Sequence, residues 1–204
     1  MNSELPIEDV DLCALIGSRI CHDLVSPVGA IGNGVELLGM SGEPSTGPEL
    51  SLISDSVGNA QARLRFYRVA FGQAGDDQDL GRTEVLTILT ELYRGARLRV
   101  HWSVDEGRPR REVKLAFLLL LCLESAMPYG GQVHISRSRD GWRFQGDAEK
   151  MRADPALWEG LSAGTVPAPL RPSQVHFGLV PNVVRRLRGS LSVTRTESRI
   201  VMEF

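Results

Sequence analysis

In the N-terminal part of the chain, apolar side chains fall at Cys13, Ile16, Ile20, Leu24, Val28, Ile31, Val35 and Leu38. They stand three or four residues apart, the spacing of one stripe on an amphipathic helix. The pattern predicts a single long helix that ends in Met40-Ser41-Gly42-Glu43-Pro44-Ser45-Thr46-Gly47-Pro48, where Gly and Pro break the periodicity. A second helix follows, with Leu50, Ile53, Val57, Ala60, Leu64, Tyr67 and Phe71 alternating by three and four as in a heptad seam. Two helices joined by a short loop form an antiparallel hairpin, and a lone hairpin leaves apolar surface wet. A homodimeric four-helix bundle closed through Leu50, Ile53, Val57, Ala60 and Leu64 would cover it.

Gly72 to Arg82 carries glycines and aspartates without periodicity and reads as a connection. It separates a helical hairpin, residues 1–75, from a second domain, residues 83–204. There the pattern predicts a helix from Glu84 to Arg94, an alternating strand from Leu98 to Val104, and a deeply apolar helix from Val113 to Met127. Strands around Val133 and Ile135 and around Trp142 and Phe144 form a hairpin turned near Asp140-Gly141. Asp147 to Pro172 is poorly patterned and reads as loop. A helix from Val175 to Leu187 and strands at Leu191–Val193 and Ile200–Phe204 complete the chain. The fold class is therefore α + α/β: a helical hairpin, then an α/β sandwich.

Composition narrows the function. The chain has 204 residues, 42% hydrophobic and 24% charged, with 23 Lys and Arg against 25 Asp and Glu. A net charge of -2 lacks the basic footprint of a nucleic-acid binder, so no nucleic-acid partner is expected. The longest apolar run, Leu115 to Leu123, is far below the roughly 20 residues of a membrane span, so no membrane partner is expected either. Glu4, Glu8, Asp9 and Asp11 stand where a secretory signal would be basic and then apolar, which points to a cytoplasmic protein. The 3 cysteines, Cys13, Cys21 and Cys122, show no CxxC spacing, and no metal site is expected.

Chemistry concentrates on the first helix. At about 100° per residue, His22 lies opposite the centre of the apolar stripe, and its outer-face neighbours Ser18, Ser26, Gly29 and Asn33 are small, so a partner surface can approach the imidazole. Pro27 sits inside the periodic segment although it removes an amide hydrogen bond, and Gly29, Gly32 and Gly34 weaken the same helix further. A chain that keeps such residues in a helix is under a constraint other than helix stability. His101, His134 and His176 fall in strand or helix-start positions that need no chemical role.

His22-Asp23-Leu24-Val25-Ser26-Pro27, followed by Gly29-Ala30-Ile31-Gly32-Asn33-Gly34-Val35-Glu36-Leu37-Leu38, resembles the phosphoacceptor helix of histidine phosphotransferases of the ChpT type, a family similar to sensor histidine kinases. The resemblance covers essentially the whole chain. It implies a dimerising hairpin that presents a phosphorylatable His22, followed by a degenerate histidine-kinase ATPase-like domain that no longer binds nucleotide. Asp23 matches the family's acidic residue after the histidine and is expected to tune or orient it. Arg19 and Ser26, one turn away on either side, are expected to reach the side of the imidazole. Receiver domains of a hybrid histidine kinase and of response regulators would dock on Ser18, Gly29, Asn33 and Glu36. The chain itself would hold no cofactor; Mg2+ is expected on the partner receiver domain.

Two alternatives within signalling are an active histidine kinase and a noncatalytic adaptor. Against the kinase, Ser125 stands where the kinase helix carries a magnesium-binding Asn, Phe144-Gln145-Gly146-Asp147 lacks the following Asp-x-Gly-x-Gly, and Phe177-Gly178-Leu179-Val180-Pro181 replaces Gly-x-Gly-Leu. Against the adaptor stands only the accessible histidine segment. Gly160-Leu161-Ser162-Ala163-Gly164 satisfies the G-x-S-x-G pattern of serine hydrolases, but without a preceding strand it reads as a glycine-containing loop. Cys21 next to His22 points about 100° away on a helix and gains no base from it.

Overall fold

The structure is a computed structural model that describes residues 7–41, 47–73, 75, 78–167 and 169–204, with the side chains of residues 7–11 and 41 outside the description. The N-terminal stripe forms α1 (Ile7–Ser41), which runs unbroken through Pro27. Most of the turn expected at 40–48, and the acidic residue Glu4, lie outside the described residues. Helix α2 (Pro48–Ala70) starts with proline at its first turn and Glu49 close behind, a favourable N-terminus. The two helices pack side by side. At Gly34 an added Cβ would stand 2.5 Å from Ile53 Cγ1, so only glycine permits this approach.

A two-residue strand β1 (Asp79–Leu80) leads into α3 (Arg82–Leu92). The rest comprises β2 (Leu98–Ser103), β3 (Arg108–Pro109), α4 (Arg110–Ala126), β4 (Gly131–Ser138), β5 (Gly141–Asp147), α5 (Pro155–Ala163), α6 (Val175–Arg186), β6 (Ser192–Arg195) and β7 (Arg199–Glu203). Strands β1 and β3 pair with each other, and the remaining five form a sheet in the order β2-β4-β5-β7-β6. Only β2 and β4 run parallel, with Val100 opposite Val133 and Trp102 opposite Ile135. The β4–β5 hairpin turns at Asp140-Gly141, where Gly141 takes φ 131°, a conformation that disfavours a side chain. Helix α4 is the hydrophobic centre: Phe117, Leu118, Leu119, Leu120, Cys122 and Leu123 are all fully enclosed.

Three features differ from the sequence reading. The segment from Asp147 to Pro172 is not all loop, since α5 lies within it. Asp154 caps that helix by accepting from the Ala156 amide at 3.0 Å, Pro155 follows the cap, and Gly164 closes the helix at φ 69°. The G-x-S-x-G match is therefore a helix C-terminus: Ser162 donates to the Trp158 carbonyl at 2.9 Å, and no strand precedes it as a nucleophile elbow requires. Third, α2 does not depend on a second copy along its whole length. Ala62, Phe66, Tyr67, Val69 and Ala70 are buried within the same chain, and the Phe66 ring stacks on Phe117 of α4 at 4.5 Å and 2°. What stays open is an apolar strip on the other side of the hairpin, with Val28 57%, Val35 55%, Leu50 43% and Leu64 49% exposed.

Candidate functional site

His22 stands on the middle of α1 with its side chain 85% exposed. Its Nδ1 lies 3.1 Å from Oδ1 of Asp23. Asp23 is largely buried, because the 100° step from His22 turns it toward α2. Its second oxygen, Oδ2, accepts from Arg19 Nε at 2.6 Å and from the hydroxyl of Tyr67 on α2. Arg63, oriented by a 2.9 Å bond to Asn59, brings Nη1 to 3.9 Å from the same oxygen. Burial alone would push the Asp23 carboxyl up. The hydrogen bonds from Tyr67 and His22 and the Arg19 charge outweigh that and hold it below the ordinary carboxylate range.

That electrostatic result bears on the hydrogen bond to the histidine. An ionised carboxylate only accepts hydrogen bonds, so the ring nitrogen facing it must be the one that carries the proton. The lone pair of the neutral imidazole is then on Nε2. The arrangement is an exposed imidazole whose Nδ1 side rests on a carboxylate held from behind.

The other residues singled out in the sequence divide into two groups. Ser18, Ser26, Gly29, Asn33 and Glu36 all lie exposed on α1, and a Cβ at Gly29 would meet nothing within 4 Å. Arg19 does not extend along the imidazole as its spacing suggested. Its guanidinium turns inward to Asp23 and reaches the carbonyl of Ser173, in the short turn before α6, at 3.1 Å. One side chain thus binds the site to the second domain. Sequence reasoning missed Tyr67, Arg63 and Ser173. The heptad spacing places Tyr67 in the apolar seam; the available signal is a charged residue, Arg63, four positions before it on the same face of α2.

Beyond Arg19 lies a cleft of about 380 Å³ lined by Glu124, Ser125, Arg152, Asp154 and His176 among others. It sits at the end of α4, where the kinase pattern would place its metal-binding Asn. Ser125 turns its hydroxyl back onto the Cys122 carbonyl at 2.7 Å. Phe177-Gly178-Leu179-Val180-Pro181 is part of α6, with Phe177, Val180 and Pro181 buried, instead of a glycine loop open to phosphate. His176 is buried, and burial, reinforced by the Arg19 charge, pushes it down to about 3, so it is neutral. His101 and His134 stack on each other across β2 and β4, 4.6 Å between ring centres. Among the described residues no group of three or more His, Cys, Asp or Glu is placed to hold a metal, and no helix is long and apolar enough to cross a membrane.

A helical hairpin followed by a five-stranded α/β domain, with an exposed histidine backed by an aspartate, is the arrangement that the sequence resemblance implies. Comparison with known proteins agrees. Residues 82–199 match the family model of the histidine phosphotransferase C-terminal domain. The chain is 39% identical over 186 residues to protein phosphotransferase ChpT of Brucella abortus (strain 2308), covering 89% of this chain and 81% of that protein. A solved bacterial phosphotransferase superposes with a TM-score of 0.76 at 32% identity, covering 98% of this chain and 97% of the other. The chain belongs to the ChpT-type histidine phosphotransferase family, whose members serve as phosphotransferases in two-component phosphorelays.

Proposed function

We propose that this chain relays a phosphoryl group through Nε2 of His22 between aspartates of receiver domains, those of hybrid histidine kinases and those of response regulators. The observation that carries this reading is the exposed His22 ring whose Nδ1 faces the ionised Asp23. In the accepting step the Nε2–P bond forms as the bond between phosphorus and the donor's aspartyl oxygen breaks, and the donor aspartate keeps the electron pair as a carboxylate. The proton on Nδ1 stays where it is, and the ring becomes cationic on phosphorylation. Asp23 offsets that charge at hydrogen-bond distance. The same positive ring makes nitrogen a good leaving group when a second aspartate attacks, so the relay runs in both directions. Positioning and charge neutralisation dominate such transfers. Magnesium and the acidic pocket belong to the receiver, and this chain needs no nucleotide of its own. Ser125 bonded to its own helix and the buried Val180 and Pro181 support that last point.

The direct test is incubation of the purified protein with receiver domains carrying labelled aspartyl phosphate. Label that appears on this chain, is lost in acid and survives alkali supports the reading. No transfer from any receiver would overturn it.

The docking face around His22 consists of Ser18, Ser26, Gly29, Asn33 and Glu36. In-line transfer needs the donor aspartate within a few ångströms of the ring, so bulk here is excluded by the partner and not by the chain itself. Gly29→Leu is expected to block transfer while stabilising the free helix, since Leu exceeds Gly in helix propensity by nearly 1 kcal/mol and the added atoms meet open space. Normal transfer by this variant, measured with the same receivers, would move the docking surface elsewhere.

The exposed strip of Val28, Val35, Leu50 and Leu64, with the half-buried Ile53, Val57 and Ala60 beside it, suits a second copy of the chain and supports a homodimeric four-helix bundle. Leu64→Glu is expected to yield a folded monomer at micromolar concentration, because Leu64 is exposed within one chain and a charge is costly only once a partner covers it. Sedimentation velocity distinguishes this from an unchanged dimer.

A further inference from the structure

We propose that Tyr67 is a positioning residue for phosphoryl transfer: its hydroxyl, donating to Oδ2 of Asp23, fixes the carboxylate so that Oδ1 holds His22 in the Nδ1–H tautomer. This inference rests on the phosphorelay reading above and adds a residue that touches neither the phosphoryl group nor the imidazole.

The first observation is the division of the Asp23 carboxylate. Tyr67 and Arg19 converge on Oδ2, and Arg63 approaches it, while Oδ1 is left to the imidazole. A carboxylate gripped at one oxygen cannot rotate without losing those bonds, so the direction of the other is set. The second observation is how Tyr67 itself is held. It is 6% exposed, its ring stacks on Phe71 at 5.0 Å and 22°, and it meets Phe66 edge-on at 6.0 Å and 74°. The hydroxyl thus stands at the end of a rigid rod with two side-chain torsions, both enclosed. Arg19, by contrast, divides its guanidinium between Asp23 and the Ser173 carbonyl and follows any shift of that turn.

The third observation is chemical. Packing alone would be served by Leu or Phe at this seam position, and burying a phenol costs free energy unless the hydroxyl finds a partner. Here the partner is the residue that orients the reactive histidine. Burial and the bond to Asp23 push the Tyr67 hydroxyl up to about 12, so it remains a donor at any pH at which transfer would run. The consequence for His22 follows from hydrogen-bond roles. A free imidazole exchanges between two tautomers, and the bond at one nitrogen decides which is populated. Loosening Asp23 releases that choice and puts hydrogen on Nε2 for part of the time, where no lone pair is available to attack phosphorus.

The test uses the full chain with His22 labelled with 15N in the ring, and three variants: Tyr67→Phe, Asp23→Asn and the double substitution. In wild type, long-range 1H–15N spectra are expected to show Nδ1 protonated and Nε2 unprotonated. In Tyr67→Phe the two shifts should move toward each other, and the transfer rate from receiver domains phosphorylated with acetyl phosphate should fall by about 10- to 100-fold, the scale on which a misplaced reacting group loses rate. Asp23→Asn alone should also slow transfer, and adding Tyr67→Phe to it should change the rate by less than about twofold, because coupled residues are not additive. Tyr67→Phe with the wild-type tautomer and rate would overturn the proposal. So would multiplicative losses in the double variant, or a wild-type ring protonated on Nε2, a result that requires no variant to fold. If wild type takes no label from any receiver, the phosphorelay reading falls and this proposal with it. A labelled wild type beside an indifferent Tyr67→Phe removes the proposal alone.

Discussion

Replacing His22 by Gln is expected to abolish phosphoryl acceptance completely and leave the fold intact. The imidazole nitrogen is the only group at this position able to form the covalent intermediate; an amide of similar size keeps the shape without the nucleophile. The side chain is 85% exposed, and its one bond within the chain goes to Asp23, which retains Tyr67 and Arg19. Surface substitutions of this kind change stability by about 0.5 kcal/mol or less. Circular dichroism and the urea midpoint should therefore match wild type while label from a phosphorylated receiver is absent. Full labelling of the variant would remove His22 from the mechanism, and a large loss of helicity would give it a structural role instead.

The second large effect concerns stability. Phe66→Ala is expected to cost about 3–5 kcal/mol, a large share of the roughly 5–15 kcal/mol that holds a typical domain folded. Phe66 is completely buried, stacks on Phe117 of α4 and supports the ring of Tyr67. Its removal opens a cavity at the seam between hairpin and sheet domain, and both neighbours lose contact. Urea denaturation should show the loss as a lower midpoint, whereas Leu64→Ala on the exposed side of the same helix should barely move it in a monomeric background. An unchanged midpoint for Phe66→Ala would mean that α2 does not lean on α4 in solution.

These two residues also mark what could and could not be read from the sequence. His22 was legible because helical periodicity fixes angles: a polar residue opposite an apolar stripe must face outward, whatever the stripe packs against. The same reasoning failed for Phe66. The heptad pattern picked out Ile53, Val57, Ala60 and Leu64 as one seam, and nothing in α2 alone reveals a second buried face at Ala62, Phe66, Val69 and Ala70, which depends on α4 lying alongside. Tyr67 was misjudged for a related reason. Its ring belongs to the apolar seam and its hydroxyl to the site on α1, and spacing along α2 offers only Arg63, four positions earlier, as a sign of where the end of that side chain goes. Helix α5 left a local signal in Asp154-Pro155 and Gly164, a cap, a first-turn proline and a closing glycine. Nine residues span too few turns for an apolar stripe to stand out against the prolines that follow.

The stretch of α1 that follows His22 poses a mechanical question. Pro27 leaves the Asp23 carbonyl without its usual amide partner, and Gly29 and Gly32 add freedom within the following turns. Yet α1 is anchored at both ends of this stretch. On one side Asp23 and Arg19 are tied to Tyr67 and to Ser173, and on the other Gly34 is pressed against Ile53. The two anchors are eleven residues apart, about 16 Å at 1.5 Å per residue. The segment between them has the geometry of a short beam supported at each end, its weakened backbone lying between two fixed contacts. The residues that weaken the helix, Pro27, Gly29 and Gly32, are thereby different from those that fix the position of the His22 ring, so either set can be substituted without removing the other's contacts.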